Sequence, residues 1–99
     1  MKSKRSKACD ISQTTKKIVF ERDNGRCIFC ASTQAMPNAH FIPRSKGGLG
    51  IEQNVVTACL NCHHKLDQST NRKEMLDYTK KYLMSNYDNW TEESLVYKK

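Results

Sequence analysis

Residues 38–63 read NAHFIPRSKGGLGIEQNVVTACLNCH, and the fold turns on how this stretch is parsed. NAHFIPRS, at 38–45, reads as a short strand, the glycines at 47, 48 and 50 mark a loop, and Val55, Val56 and Thr57 read as a second strand. That pattern predicts a β-hairpin with a long tip. LNCHHKLDQ, at 60–68, follows as a short helix that begins inside a Cys-x-x-Cys pair. Two strands followed by a helix place the chain in the α+β class.

Toward the C-terminus a longer helix is expected over about 71–86, with Asn71 and Glu74 as cap and N3 partner. Met75, Leu76, Thr79, Tyr82 and Leu83 then share one face, which reads as core. Thr91 is placed to cap one last helical turn after Trp90, and Leu95 and Val96 to dock back on the domain. Toward the N-terminus a helix runs from Ser12 through Ile18, Val19 and Phe20 to Asp23, with Asn24 and Gly25 as its stop. Before it, Lys2, Lys4, Arg5 and Lys7 stand among almost nothing apolar, so residues 1–11 read as a flexible basic arm and 12–99 as a single domain. Such an arm either touches phosphates or is a solvated tail.

Ninety-nine residues suffice for one domain, but the apolar share of 37% is low for a core that must hold itself together. A bound metal would supply what is missing. The formal net charge of +7 favours a polyanionic partner through counterion release, although a lysine-rich surface also serves plain solubility. No apolar run approaches the roughly 18 residues needed to cross a bilayer, and the start MKSKRSKACDIS lacks the apolar stretch of a signal peptide. The expectation is a cytoplasmic protein with no membrane partner, in which cysteines are not disulfides.

Four of the five cysteines form two pairs, Cys27-x-x-Cys30 and Cys59-x-x-Cys62, separated by 28 residues. Each pair makes a tight knuckle that turns two thiolates to one side, and two knuckles complete a tetrahedral shell for Zn²⁺. A closed shell leaves no open coordination position, so this zinc is expected to be structural and any chemistry must sit elsewhere. Cys9 stands outside the pattern.

The chemistry-bearing residues of the central stretch occur as His40, Asn54 and His63, with separations of fourteen and nine. In AHFIPRSKGGLG, EQNVV and CLNCHHKLD, framed by both cysteine pairs, the chain resembles the HNH endonuclease family over about Val19 to Asp67. The resemblance implies a ββα-metal (His-Me finger) core at about 38–68, with the four-cysteine zinc site and flanking helices around it. It implies that His40 is the general base that takes a proton from the attacking water. That role suits an imidazole which is neutral when water arrives. His63 matches the final histidine, a ligand of the catalytic divalent cation, and Asp67 lies one helical turn beyond it as a second ligand. The cation, such as Mg²⁺, Mn²⁺ or Ni²⁺, would stabilise charge on the leaving 3′ oxygen, giving 5′-phosphate and 3′-hydroxyl products. Asn54 matches the asparagine whose amide ties the hairpin loop and so orients the base.

One position departs from the family pattern. Many members carry Asp or His just before the general base as a further ligand, and here that residue is Ala39. Either water fills the place, or His64 or Asn38 does, or the site is degenerate. Arg44, Lys46 and Lys65 are expected to flank the site as phosphate contacts, and the loop glycines either let the loop approach the DNA backbone or form an ordinary turn. The segments SKACDIS, ERDNGRCIFC and WTEESLVYKK look like small HNH proteins of bacteriophages, which implies work on DNA beside the packaging terminase of a bacterial host. The competing readings are a non-catalytic zinc-stabilised DNA-binding or assembly module with a degenerate HNH site, and an interaction protein that docks through its long helix.

Overall fold

The computed structural model describes residues 3–68 and 70–98. Helices α1 (Lys4–Cys9) and α2 (Gln13–Arg22) lead into strand β1 (Ala35–His40), and strand β2 (Val55–Cys59) runs directly into α3 (Leu60–Gln68) and then α4 (Arg72–Asn86). Short 3₁₀ turns occupy Arg44–Lys46 and Glu92–Leu95.

Local chemistry accounts for the start and stop of α2. The Ser12 hydroxyl accepts from the Thr15 backbone N–H at its first turn, and Asn24 and Gly25, with φ of 58° and 65°, reverse the chain after its last. Val19 is the residue that α2 buries. At α4 the expected capping box does not form, because Asn71 is the N-cap residue but makes no side-chain capping hydrogen bond. The stripe on α4 does face the core. Thr79 and Leu83 are buried, and Met75, Leu76 and Tyr82 pack against the same cluster.

The two strands are antiparallel, pairing Ala35 with Cys59 and His40 with Val55. Their register shifts between Met36 and Ala39, where Pro37 has no N–H to give the ladder. β2 is buried at all five positions because α2 and α3 both lie against it. Val56, Ala58, Ala39, Phe41, Leu66, Leu83 and Leu95 make up much of the resulting core. The tail closes it: Leu95 is fully buried, Val96 bridges to Gly48, and Trp90 tilts against Phe41 and donates to the Gln53 carbonyl.

Two expectations about backbone are corrected. The segment read as a flexible arm is helical from Lys4 to Cys9, with Ser3 as its cap, while Met1 and Lys2 lie outside the described residues. It is held by backbone contacts that composition does not display: the Gly50 N–H donates to the Ala8 carbonyl at 3.0 Å, and Cys9 is buried. Of the loop glycines, Gly47 at φ 81° makes an ordinary left-handed turn, while Gly48 and Gly50 are turned inward and not toward a DNA backbone. A Cβ on Gly48 would lie 1.7 Å from the Ile42 carbonyl oxygen, and one on Gly50 would lie 2.1 Å from that of Asp10, so both serve close approach between segments of the chain itself.

Candidate active site and metal centre

The metal centre forms where α2's exit meets the junction of β2 and α3. After Cys27 the chain turns back, the Ala31 N–H donating to the Cys27 carbonyl, with Ala31 itself at φ 64°. In the second knuckle the Cys62 N–H points at Cys59 Sγ, 3.4 Å away. The sulfurs of Cys27, Cys30, Cys59 and Cys62 all lie within 4.8 Å of one another, and none is in a disulfide. A tetrahedral ion with Zn–S bonds of about 2.3 Å spaces its sulfurs by about 3.8 Å. Cys30 Sγ and Cys59 Sγ are 3.6 Å apart, so the donor set fits a metal such as zinc.

Electrostatics in the cluster point the same way. Burial opposes ionisation of Cys27, but the backbone N–H groups of Cys59, Cys30 and Phe29 outweigh it and bring this thiol down to about 7. Cys62 is pushed far up, first by burial and then by the neighbouring cysteines. Packed this closely, four thiols cannot share four negative charges alone, and a divalent cation would relieve them.

On the other side of the hairpin a cavity of about 580 Å³ collects residues from four separate parts of the chain. His40 comes from β1, His63 and Asp67 from α3, Arg44 from the hairpin loop, and Asp10 and Lys16 from the N-terminal helices. His63 Nε2 and Asp67 Oδ2 are 3.9 Å apart on adjacent turns of α3, near enough to converge on one ion. Their chemistry, one imidazole and one carboxylate, suits a divalent cation that keeps water in its remaining positions.

His40 is half-buried, and its Nε2 lies 3.0 Å from the backbone carbonyl oxygen of Cys9. A carbonyl only accepts, so Nε2 carries the proton in the neutral ring and the lone pair sits on Nδ1. The ring is kept below the usual histidine range, first by burial and then by the charges of Arg44 and His63, against the opposite pull of the Cys9 carbonyl and Asp10.

Asn54 is fully buried and lies behind the site rather than in it. Its Oδ1 accepts from the Ile42 N–H at 2.8 Å, and its Nδ2 donates to the carbonyls of Ile42 at 3.2 Å and Leu49 at 2.8 Å. The two sides of the hairpin loop are thereby joined just beyond His40.

Ala39 is fully buried in the core, so its position offers the cavity no donor. Of the two substitutes weighed, Asn38 lies on the cavity wall, whereas His64 is exposed on α3 and is not among the residues lining it. The expected phosphate contacts separate. Arg44 lines the cavity, Lys46 lines a different depression beside α4, and Lys65 lies by Cys30 and Cys62. Sequence reading missed Lys16 and Asp10, which join the cavity only because α1 and α2 fold over it.

The sequence model of the HNH endonuclease family matches residues 27–76, half of the chain. The chain belongs to the HNH endonuclease family. The matched span takes in both cysteine knuckles and all of His40, Asn54, His63 and Asp67 of this HNH protein, whereas Asp10 and Lys16 on the cavity wall lie before it. A shorter stretch of 38 residues is 45% identical to the type IV methyl-directed restriction enzyme EcoKMcrA of Escherichia coli (strain K12). It covers 38% of this chain and 14% of that enzyme. Among the described residues no helix is long and apolar enough to cross a membrane.

Proposed function

We propose that the chain is a metal-dependent DNA endonuclease, with His40 as general base, His63 and Asp67 as ligands of a divalent cation, and Asn54 as the tie that holds the base in place. The observation that supports this reading above all is the single cavity shared by His40, His63 and Asp67, with Lys16 on its wall. His40 Nδ1 takes a proton from water, the oxygen attacks phosphorus, and the bond from phosphorus to the 3′ oxygen breaks, the departing oxygen taking a proton from a second water to become the 3′-hydroxyl. When bound, a divalent cation such as Mg²⁺, Mn²⁺ or Ni²⁺ supplies the positive charge that stabilises the leaving oxygen. Lys16 attracts the strand through its phosphates and reads no bases. Zinc on the four cysteines holds the fold and takes no part in the chemistry.

A plasmid nicking assay across Mg²⁺, Mn²⁺ and Ni²⁺ tests this, on methylated and unmethylated DNA because the E. coli relative is methyl-directed. His40→Ala is expected to lower metal-dependent nicking at least about a hundredfold. Nicking that survives this substitution unchanged removes the mechanism. Work beside a phage terminase, in the cytoplasm of a bacterial host, rests on the resemblance of the flanking segments to phage proteins. Ala39 is the observation that favours the second reading, a non-catalytic DNA-binding module. On that reading the native chain binds DNA with steep salt dependence but nicks with none of the three metals.

A further inference from the structure

We infer that Arg44 is a positioning residue for His40 and not a phosphate contact: it clamps the C-terminal end of α1 so that the Cys9 carbonyl holds the imidazole in one tautomer. This rests on the reading of His40 as general base. Cys9 is the last residue of α1, where a helix has carbonyls without partners of their own. Its oxygen receives two donors from the hairpin, His40 Nε2 and Arg44 Nη1, each at 3.0 Å, which uses both lone pairs. Arg44 Nη2 at the same time donates to Asp10 Oδ1 at 2.7 Å. One guanidinium therefore grips two consecutive residues of α1's end, and the carbonyl between its grip and the imidazole has no freedom to turn away.

The rest of the docking is built for the same approach. Gly50 donates to the Ala8 carbonyl, and any side chain at 50 would collide with the Asp10 carbonyl, so the loop meets α1 at backbone distance. Arg5 Nη2 reaches back to the Ser45 carbonyl at 3.1 Å, joining α1 to the 3₁₀ turn that carries Arg44. With α1 held there, Nε2 is protonated and Nδ1 is free to accept the proton of water. With α1 released, both tautomers of His40 become accessible and the ring loses its anchor.

The test uses the zinc-loaded full chain, with Arg44→Ala and Asp10→Ala compared with the native protein. It reads three things: the single-turnover nicking rate at saturating protein, the salt dependence of duplex binding, and the ¹⁵N side-chain spectrum of His40. Arg44→Ala is expected to lower the saturated rate about ten- to a hundredfold, as misplacement of a catalytic group does. The salt slope should stay as in the native chain, and His40 should pass from one tautomer to a mixture. Asp10→Ala separates the alternatives by sign. It removes both the negative charge and the oxygen that accepts from Arg44 Nη2, so a phosphate contact would gain affinity with the rate intact, whereas a broken clamp lowers the rate. It also carries the test should Arg44→Ala fail to fold.

A saturated rate and His40 tautomer unchanged in both variants overturn the inference. So does a salt slope in Arg44→Ala smaller by about 0.9, the loss of one phosphate contact. Either result alongside an inactive His40→Ala defeats the clamp alone; nicking that persists in His40→Ala defeats the proposed function beneath it.

Discussion

The side-chain amide of Asn54 and the backbone of Ile42 exchange two hydrogen bonds, Oδ1 accepting at 2.8 Å and Nδ2 donating at 3.2 Å. With the third bond to the Leu49 carbonyl, this one buried side chain satisfies three main-chain groups of the hairpin loop. Asn54→Ala would leave them unpaired, and leaving buried polar groups unsatisfied costs about 1–3 kcal/mol. The expected outcome is a loss of that order in denaturant unfolding, together with a nicking rate that falls more than the folded fraction does. A variant equally stable to the native chain would show that the loop holds itself.

With zinc on the four cysteines, as proposed, its removal should unfold the protein. The four sulfurs clamp the exit of α2 to the start of α3, and a structural zinc of this type contributes apparent binding free energy on the order of 10 kcal/mol or more. Circular dichroism during titration with a strong chelator measures it, and Cys27→Ser should behave like the chelated chain. A cooperative, native-like melt after exhaustive metal removal would sink the claim.

Arg22 joins α2 to the loop before β2 and to the end of α4. Its guanidinium donates to the carbonyls of Glu52 at 2.7 Å and Val55 at 2.8 Å and to the Tyr87 hydroxyl, between the rings of Tyr82 and Tyr87. Its partner Asp23 is fully buried, and also accepts from the Thr57 N–H and the Tyr82 hydroxyl. Breaking such a buried pair from one side costs about 3–5 kcal/mol, because the other charge stays behind. Arg22→Ala is expected to lower unfolding free energy by that order in urea melts, with zinc bound. A loss under about 1 kcal/mol would mean that water solvates Asp23 in the variant.

On the proposed mechanism, the pH dependence of nicking follows from His40. Its folded pKa is depressed by burial and by Arg44 and His63, so the neutral ring persists below the ordinary value of 6.5. A cation held at His63 pushes in the same direction. The acid limb of the single-turnover rate should therefore have its midpoint below 6.5. The ring's contribution to stability has the same sign: it is present above 6.5 and lost as pH falls through the folded value. An acid limb centred above 6.5 would contradict this.

Much of the site is written in short-range spacing. Two Cys-x-x-Cys pairs in one small domain supply a four-ligand set, and two residues four apart on a helix meet at one face, so the four cysteines and the His63–Asp67 pair are recognisable before any fold is known. The C-terminal end of α2 is legible for the same reason, since an Asn-Gly stop acts within one turn. The capping box at Asn71 was misread, because a cap is a preference that local geometry can leave unused.

What the sequence by itself determined is the set of groups that act within a few residues of one another: the metal knuckles, the helical pair, and the order of hairpin and helix. Tertiary structure alone decided which distant groups meet them. Cys9 reaches His40 across 31 positions and Arg44 turns to Asp10 across 34, so a basic segment that reads as a loose tail becomes part of the candidate site. The physical reason is that the deciding partner is a backbone carbonyl. Every residue carries one, so no residue type announces it, and only packing determines which of them faces the imidazole.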